Sequence, residues 1–190
     1  MASLHNPSMT LSALHPRVVE IIDVLENSHR ELHVLVSAMP EASRDAPAMA
    51  GGWSVAEHLE HLAIVEDGAG RLMSKLIKLV MASGELETED SSLLHSLDRF
   101  QVSTVTRRIE APDFVLPKEG LSSSDALARH TASRARMIDA LQRASGLALA
   151  SVSAPHPVVG PLNVYQWGLI TSQHEQRHIV QIRAIARFGD

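Results

Sequence analysis

The sequence predicts an all-α protein built as a four-helix bundle. Apolar residues recur at helical spacing in four stretches, 16–39, 53–81, 122–144 and 163–187, and three of them end at Gly or Pro. Aromatic residues are only 3% of a chain that is 45% hydrophobic, so the core must be Leu, Ile, Val, Ala and Met, which suits helices better than a sandwich or barrel. Four helices of roughly 20–28 residues pack naturally as a bundle. A chain of 190 residues fits one domain, expected over 16–190 behind a loose tail at 1–15.

Pro16 suits the first turn of the first helix, whose stripe is Val18, Ile21, Ile22, Leu25, Leu32, Val36 and Met39. Pro40 stops it, and 40–52 reads as a loop ending in Gly51-Gly52. Ser54 with Glu57 forms a capping box for the second helix. That helix buries Val55, Leu59, Leu62, Val65, Ala69, Leu72, Met73, Leu76 and Val80, and Ser83-Gly84 closes it. Residues 84–121 make a long, initially acidic connection with a short helix expected at Leu93–Leu97; a connection of this length lets the second and third helices run parallel, or covers a site. Ser122 to Asp125 caps the third helix, which carries Leu127, Thr131, Arg134, Met137, Ile138 and Leu141 on one side and closes at Gly146. After a loop at 147–161, Asn163 with Gln166 caps the fourth helix. Trp167, Ile170, His174, His178, Gln181 and Ile185 share one of its faces, and Leu162, Leu169, Ile179 and Val180 form another.

Several function classes drop out. The net charge of -5, with no long Lys/Arg run, speaks against a nucleic-acid partner. Cysteine is absent, which removes disulfides, thiolate metal ligands and a cysteine nucleophile. No apolar run approaches a membrane span, and 1–15 lacks the pattern of a signal peptide, so the expectation is a cytoplasmic protein.

The chemistry concentrates in His174-Glu175-Gln176-Arg177-His178. Two histidines at i and i+4 share a helix face and can hold one metal ion. The stretch spells the zinc-protease signature, but 179–190 behind it contains no further histidine, so a third ligand must come from upstream. His61 and His58 on the second helix are the candidates, because bundle sites are built from inward side chains of facing helices. The other histidine pair at this spacing, His29/His33, reads as a polar flank with one partly buried ring. His130/Arg134 reads as a solvent-facing pair, or as a contact for an anionic substrate.

The segment Gly51-Gly52-Trp53-Ser54-Val55-Ala56-Glu57-His58-Leu59-Glu60-His61-Leu62 resembles the second-helix motif of the DinB/YfiT-like metalloenzymes, and His174-x-x-x-His178-x-x-Gln181 resembles the family's final helix. The resemblance implies an up-down-down-up bundle with the long crossover between helices 2 and 3, often a homodimer. It also implies a divalent metal, nickel or zinc, held by His61, His174 and His178, with His58 as runner-up for the first ligand. Some relatives resemble transferases that use low-molecular-weight thiols such as bacillithiol or mycothiol; others resemble hydrolases. A small-molecule substrate, a metal-assisted hydrolysis, or a non-enzymatic dimeric metal-binding bundle therefore all remain open. Glu175 is a weak catalytic candidate, with a surface role as its alternative, and Trp167 and Gln181 are candidate pocket residues or ordinary packing.

Overall fold

A computed structural model describes residues 14–47, 52–100, 102 and 111–187. Most of the predicted tail lies outside this set. Its end does not: Leu14 is buried, and the His15 ring caps α1 (Pro16–Ser37) by accepting from the Arg17 N–H. Pro16 sits in the first turn, where its missing N–H costs no helical bond. The predicted stripe of α1 is buried from Val18 to Val36.

The four predicted helices form, and the described residues add three features. A short helix, α2 (Glu41–Asp45), occupies part of the expected loop, and its Asp45 accepts the backbone N–H of Ser123 at the start of the third predicted helix. A two-stranded antiparallel hairpin, β1 (Ser153–His156) and β2 (Gly160–Asn163), replaces the loop expected at 147–161. Prolines at 155 and 161 hid it, since proline argues against a strand but is tolerated in an edge ribbon. The short helix expected at 93–97 is a turn running into a 3-10 segment at Asp98–Phe100.

Helix α3 (Val55–Ser83) opens with the reciprocal Ser54/Glu57 box and ends at Gly84, whose φ of 66° is a left-handed conformation that glycine adopts without strain. Ser122 caps α4 (Ser123–Arg143). Asn163 and Gln166 exchange side-chain and backbone hydrogen bonds at the head of α5 (Val164–Arg187). The helix α3 packs on α4 and α5, and α1 packs on α5 and α4, so the four long helices enclose a common core.

That core is two apolar clusters. One gathers Ile21, Ile22, Leu25, Met73, Leu76, Met137, Leu141, Tyr165 and Ile170. The other gathers Leu32, Val36, Val55, Leu59, Leu62, Ala126, Ile179 and Ile182. In sequence, each long helix carries a buried polar layer between its contributions to the two: Ser28 on α1, Glu66 on α3, His130 and Arg134 on α4, Glu175 on α5. The second apolar face of α5 is less complete than predicted, because Val180 is 60% exposed. No described helix is long and apolar enough to cross a membrane.

Candidate metal centre

Helix α3 supplies His61 and α5 supplies His174 and His178. The packing of α3 on α5 brings ring nitrogens of all three within 4.8 Å of one another. The His174 Nε2 lies 3.4 Å from the His61 Nε2 and 3.2 Å from the His178 Nε2. Metal–nitrogen bonds of about 2.0–2.1 Å in a tetrahedron place ligand atoms about 3.3 Å apart, so these separations are those of ligands around one ion.

The second nitrogen of two rings is already engaged. The His61 Nδ1 is 2.8 Å from the Val115 carbonyl oxygen, which can only accept. A neutral His61 therefore carries its proton on Nδ1 and presents the Nε2 lone pair to the centre. The His178 Nδ1 is 2.9 Å from the His58 Nδ1. A proton on the His178 Nδ1, donated to His58, frees the His178 Nε2 in the same way. His58, the runner-up ligand, thus sits behind His178 rather than in the three-nitrogen group. On the apolar wheel of α3 His58 looks the more central of the two, yet both rings are buried.

Burial keeps these rings neutral. It is the main cause that lowers His174 to about 3, aided by His61 and Arg177. It lowers His58 to about 4 with help from His61, holds His178 well below the usual imidazole range, and lowers His61 less, because the Val115 carbonyl favours the charged form. A neutral imidazole with a free lone pair is the form a metal binds. The three histidines can therefore hold a metal ion.

The long connection builds the wall on the His61 side. Glu60, 1% exposed, accepts the backbone N–H groups of Lys118, Glu119 and Leu121, and so pins the stretch next to Val115 against α3. Trp53 stacks parallel to His178 with ring centroids 6.3 Å apart and tilts over His61 at 4.8 Å. In the sequence Trp53 stands out only as part of the second-helix motif. Its place five residues before His58 and eight before His61, outside the helix, gives no periodic signal.

Of the two predicted pocket residues, Trp167 packs against His156, and its buried Nε1–H has no partner among the described residues. Gln181 is half-buried, with its Oε1 likewise unpartnered. Glu175 is not a surface residue. It is fully buried; its Oε2 accepts from the Ser28 hydroxyl and from the Arg134 Nη2 at 2.9 Å. The helix wheel put Glu175 off the histidine face, and the bundle fills that direction with α1 and α4. His130 and Arg134 are also buried rather than solvent-facing, because Glu66 and Glu175 supply the counter-charges that a buried guanidinium needs.

The DinB superfamily sequence profile matches residues 25–182, which span all the elements just described except the beginning of α1 and the end of α5. The chain belongs to the DinB superfamily. An uncharacterised protein of Bacillus subtilis (strain 168), YuaE, is 26% identical over 140 residues, covering 70% of this chain and 76% of its own length. No solved structure matches the chain.

Proposed function

We propose that the protein is a metal-dependent enzyme whose divalent ion, nickel or zinc, is held by His61, His174 and His178 in an up-down-down-up four-helix bundle. The observation that carries this reading is the convergence of the three Nε2 atoms, with two of the opposite ring nitrogens hydrogen-bonded. A three-histidine ion keeps an open coordination position and supplies a Lewis acid there. His61 and His178 are oriented by Val115 and His58, so the site needs little rearrangement to bind.

The reaction we favour is transfer of a low-molecular-weight thiol onto an electrophilic small molecule. The charged neighbour that acts on both His174 and His178 is the Arg177 guanidinium. An anionic ligand such as a thiolate is favoured by that surrounding. Glu175, the carboxylate that a hydrolytic reading would use as general base, lies off the histidine face of α5, toward Ser28 of α1 and Arg134 of α4. The same proposal takes the protein as a homodimer. Val34 on α1 and Val180 on α5, two helices that pack together, are exposed apolar residues.

Purified protein assayed with bacillithiol or mycothiol and a chloroalkane or bimane electrophile tests the reaction. Thiol-dependent turnover that disappears in His174→Ala is expected. Turnover without added thiol supports hydrolysis instead. Metal-free native protein that melts identically after chelation and in the triple-alanine variant points to a non-enzymatic bundle.

A further inference from the structure

We propose that His29, His130 and Glu175, with Glu66 as a fourth donor, form a second site for a divalent transition-metal ion in the polar layer of the core. It shares no residue with the histidine triad.

The geometry starts from Glu175. Ser28 and Arg134 both take its Oε2. Its Oε1 is buried and accepts no hydrogen bond among the described residues. Facing that oxygen are the His29 Nδ1 at 3.6 Å and the His130 Nε2 at 3.7 Å. Both distances are too long for hydrogen bonds. The His29 Nδ1 and the His130 Nδ1 are themselves buried without a hydrogen bond, while the His130 Nε2 is paired with the Glu66 Oε2 at 2.7 Å. Buried polar atoms are costly when left unpaired, and here two of them, the Glu175 Oε1 and the His29 Nδ1, meet the His130 imidazole from three different helices, with ligand atoms of all three residues within 4.8 Å of one another. The 3.6 and 3.7 Å edges are a few tenths of an ångström longer than the roughly 3.3 Å edge of a tetrahedral metal site. An ion drawing the ligands inward closes that difference. The Glu66 Oε2, which accepts from the Arg134 Nη2 and lies 2.7 Å from the His130 Nε2, is a further oxygen beside the site.

Charge argues the same way. The layer holds two carboxylates, Glu66 and Glu175, against one guanidinium, Arg134. With neutral imidazoles one negative charge is left over in a medium that solvates it poorly. Arg134 does not occupy the site, because it binds the far oxygen of Glu175 and leaves Oε1 free; it orients the ligand as outer-shell partners do. Two imidazoles and carboxylate oxygens, with no sulfur, suit zinc, nickel, iron or copper rather than magnesium or calcium. A groove of about 320 Å³ between α3 and α4 reaches this layer at Glu66 and is lined also by Gly70, Ser133 and Met137. The competing supplier of the missing charge is a proton on one imidazole, which predicts no uptake of metal.

Chelator-stripped full-length protein is loaded with cobalt(II) or zinc, desalted and counted by elemental analysis. Two ions per chain are expected in the wild type, one in His29→Ala, one in His174→Ala and none in the double variant. Cobalt reports each site separately by its visible absorption, so the two single variants must lose different bands. His29 is the half-buried member of the cluster, and its removal leaves the Glu66–Arg134–Glu175 pairing in place; circular dichroism verifies the fold. Two outcomes overturn the proposal: a wild-type ratio of one that His29→Ala leaves at one, and a ratio of two that His29→Ala leaves at two. A ratio that falls in His29→Ala but not in His174→Ala supports the second site and refutes the triad reading instead.

Discussion

Replacing Arg134 by Met tests what the polar layer contributes to the fold. The guanidinium bonds both oxygens of Glu66, the Oε2 of Glu175 and the backbone carbonyl of Leu25, and so ties α4 to α3, α5 and α1 at once. Methionine fills similar volume but leaves two buried carboxylates without their cation. Breaking a buried pair from one side costs about 3–5 kcal/mol. The Glu66 carboxyl registers the whole layer, with His130 acting on it ahead of Arg134. Burial pushes the Glu66 carboxyl up, yet His130 and then Arg134 outweigh it and hold the group at about 2 rather than 4.5. A carboxyl so depressed contributes ~3 kcal/mol of stability, present above pH about 4.5 and lost as pH falls toward 2. Urea denaturation of metal-free protein at pH 7 should therefore show a loss of about 3–5 kcal/mol, a large share of a typical ~5–15 kcal/mol. The pH dependence sharpens the test. In the variant a carboxyl that stays buried but has lost the guanidinium takes up its proton at higher pH than in the unfolded chain, so the gap to wild type narrows between pH 7 and about 4.5. A loss below about 1 kcal/mol, or a gap that does not change with pH, refutes the reasoning.

Other expectations follow from single contacts. His61→Ala or His174→Ala should abolish stoichiometric metal at the triad, read by elemental analysis. His58→Ala leaves the three ligands but removes the partner of the His178 Nδ1, so metal affinity should fall about 10–100-fold, measured by competition with a chelator. Glu60→Gln weakens the acceptor for three backbone N–H groups; the 111–121 stretch should become more sensitive to limited proteolysis and metal affinity should drop as Val115 loosens. Gly168→Ala would place a Cβ 2.5 Å from the Ile21 Cγ2, a stiff β-branched atom, and should cost about 1–3 kcal/mol in thermal or urea unfolding; in an Ile21→Ala background the added cost of Gly168→Ala should be smaller.

Much of the fold was legible because its signals are local. The Ser54/Glu57 box, Ser122, the Asn163/Gln166 pair and the 3.6-residue apolar period mark helix starts and faces within a few residues of sequence. The hairpin at 153–163 was not, since its prolines obscure a pairing that only the folded context stabilises. The site divides along the same line. The i,i+4 spacing of His174 and His178 places two donors on one helix face whatever the tertiary structure, and the second-helix motif points to His61. Only packing decides that His58 lies behind His178, that Val115 fixes the His61 ring, and that Trp53 covers both. Glu175, His130 and Arg134 show the limit most clearly. Their sequence reads as solvated polar faces, because charge and helical spacing cannot reveal that counter-charges from α3 and α5 wait across the core. Where a charged side chain is buried depends on its partner, and the partner of Arg134 stands 68 residues away in the chain at Glu66.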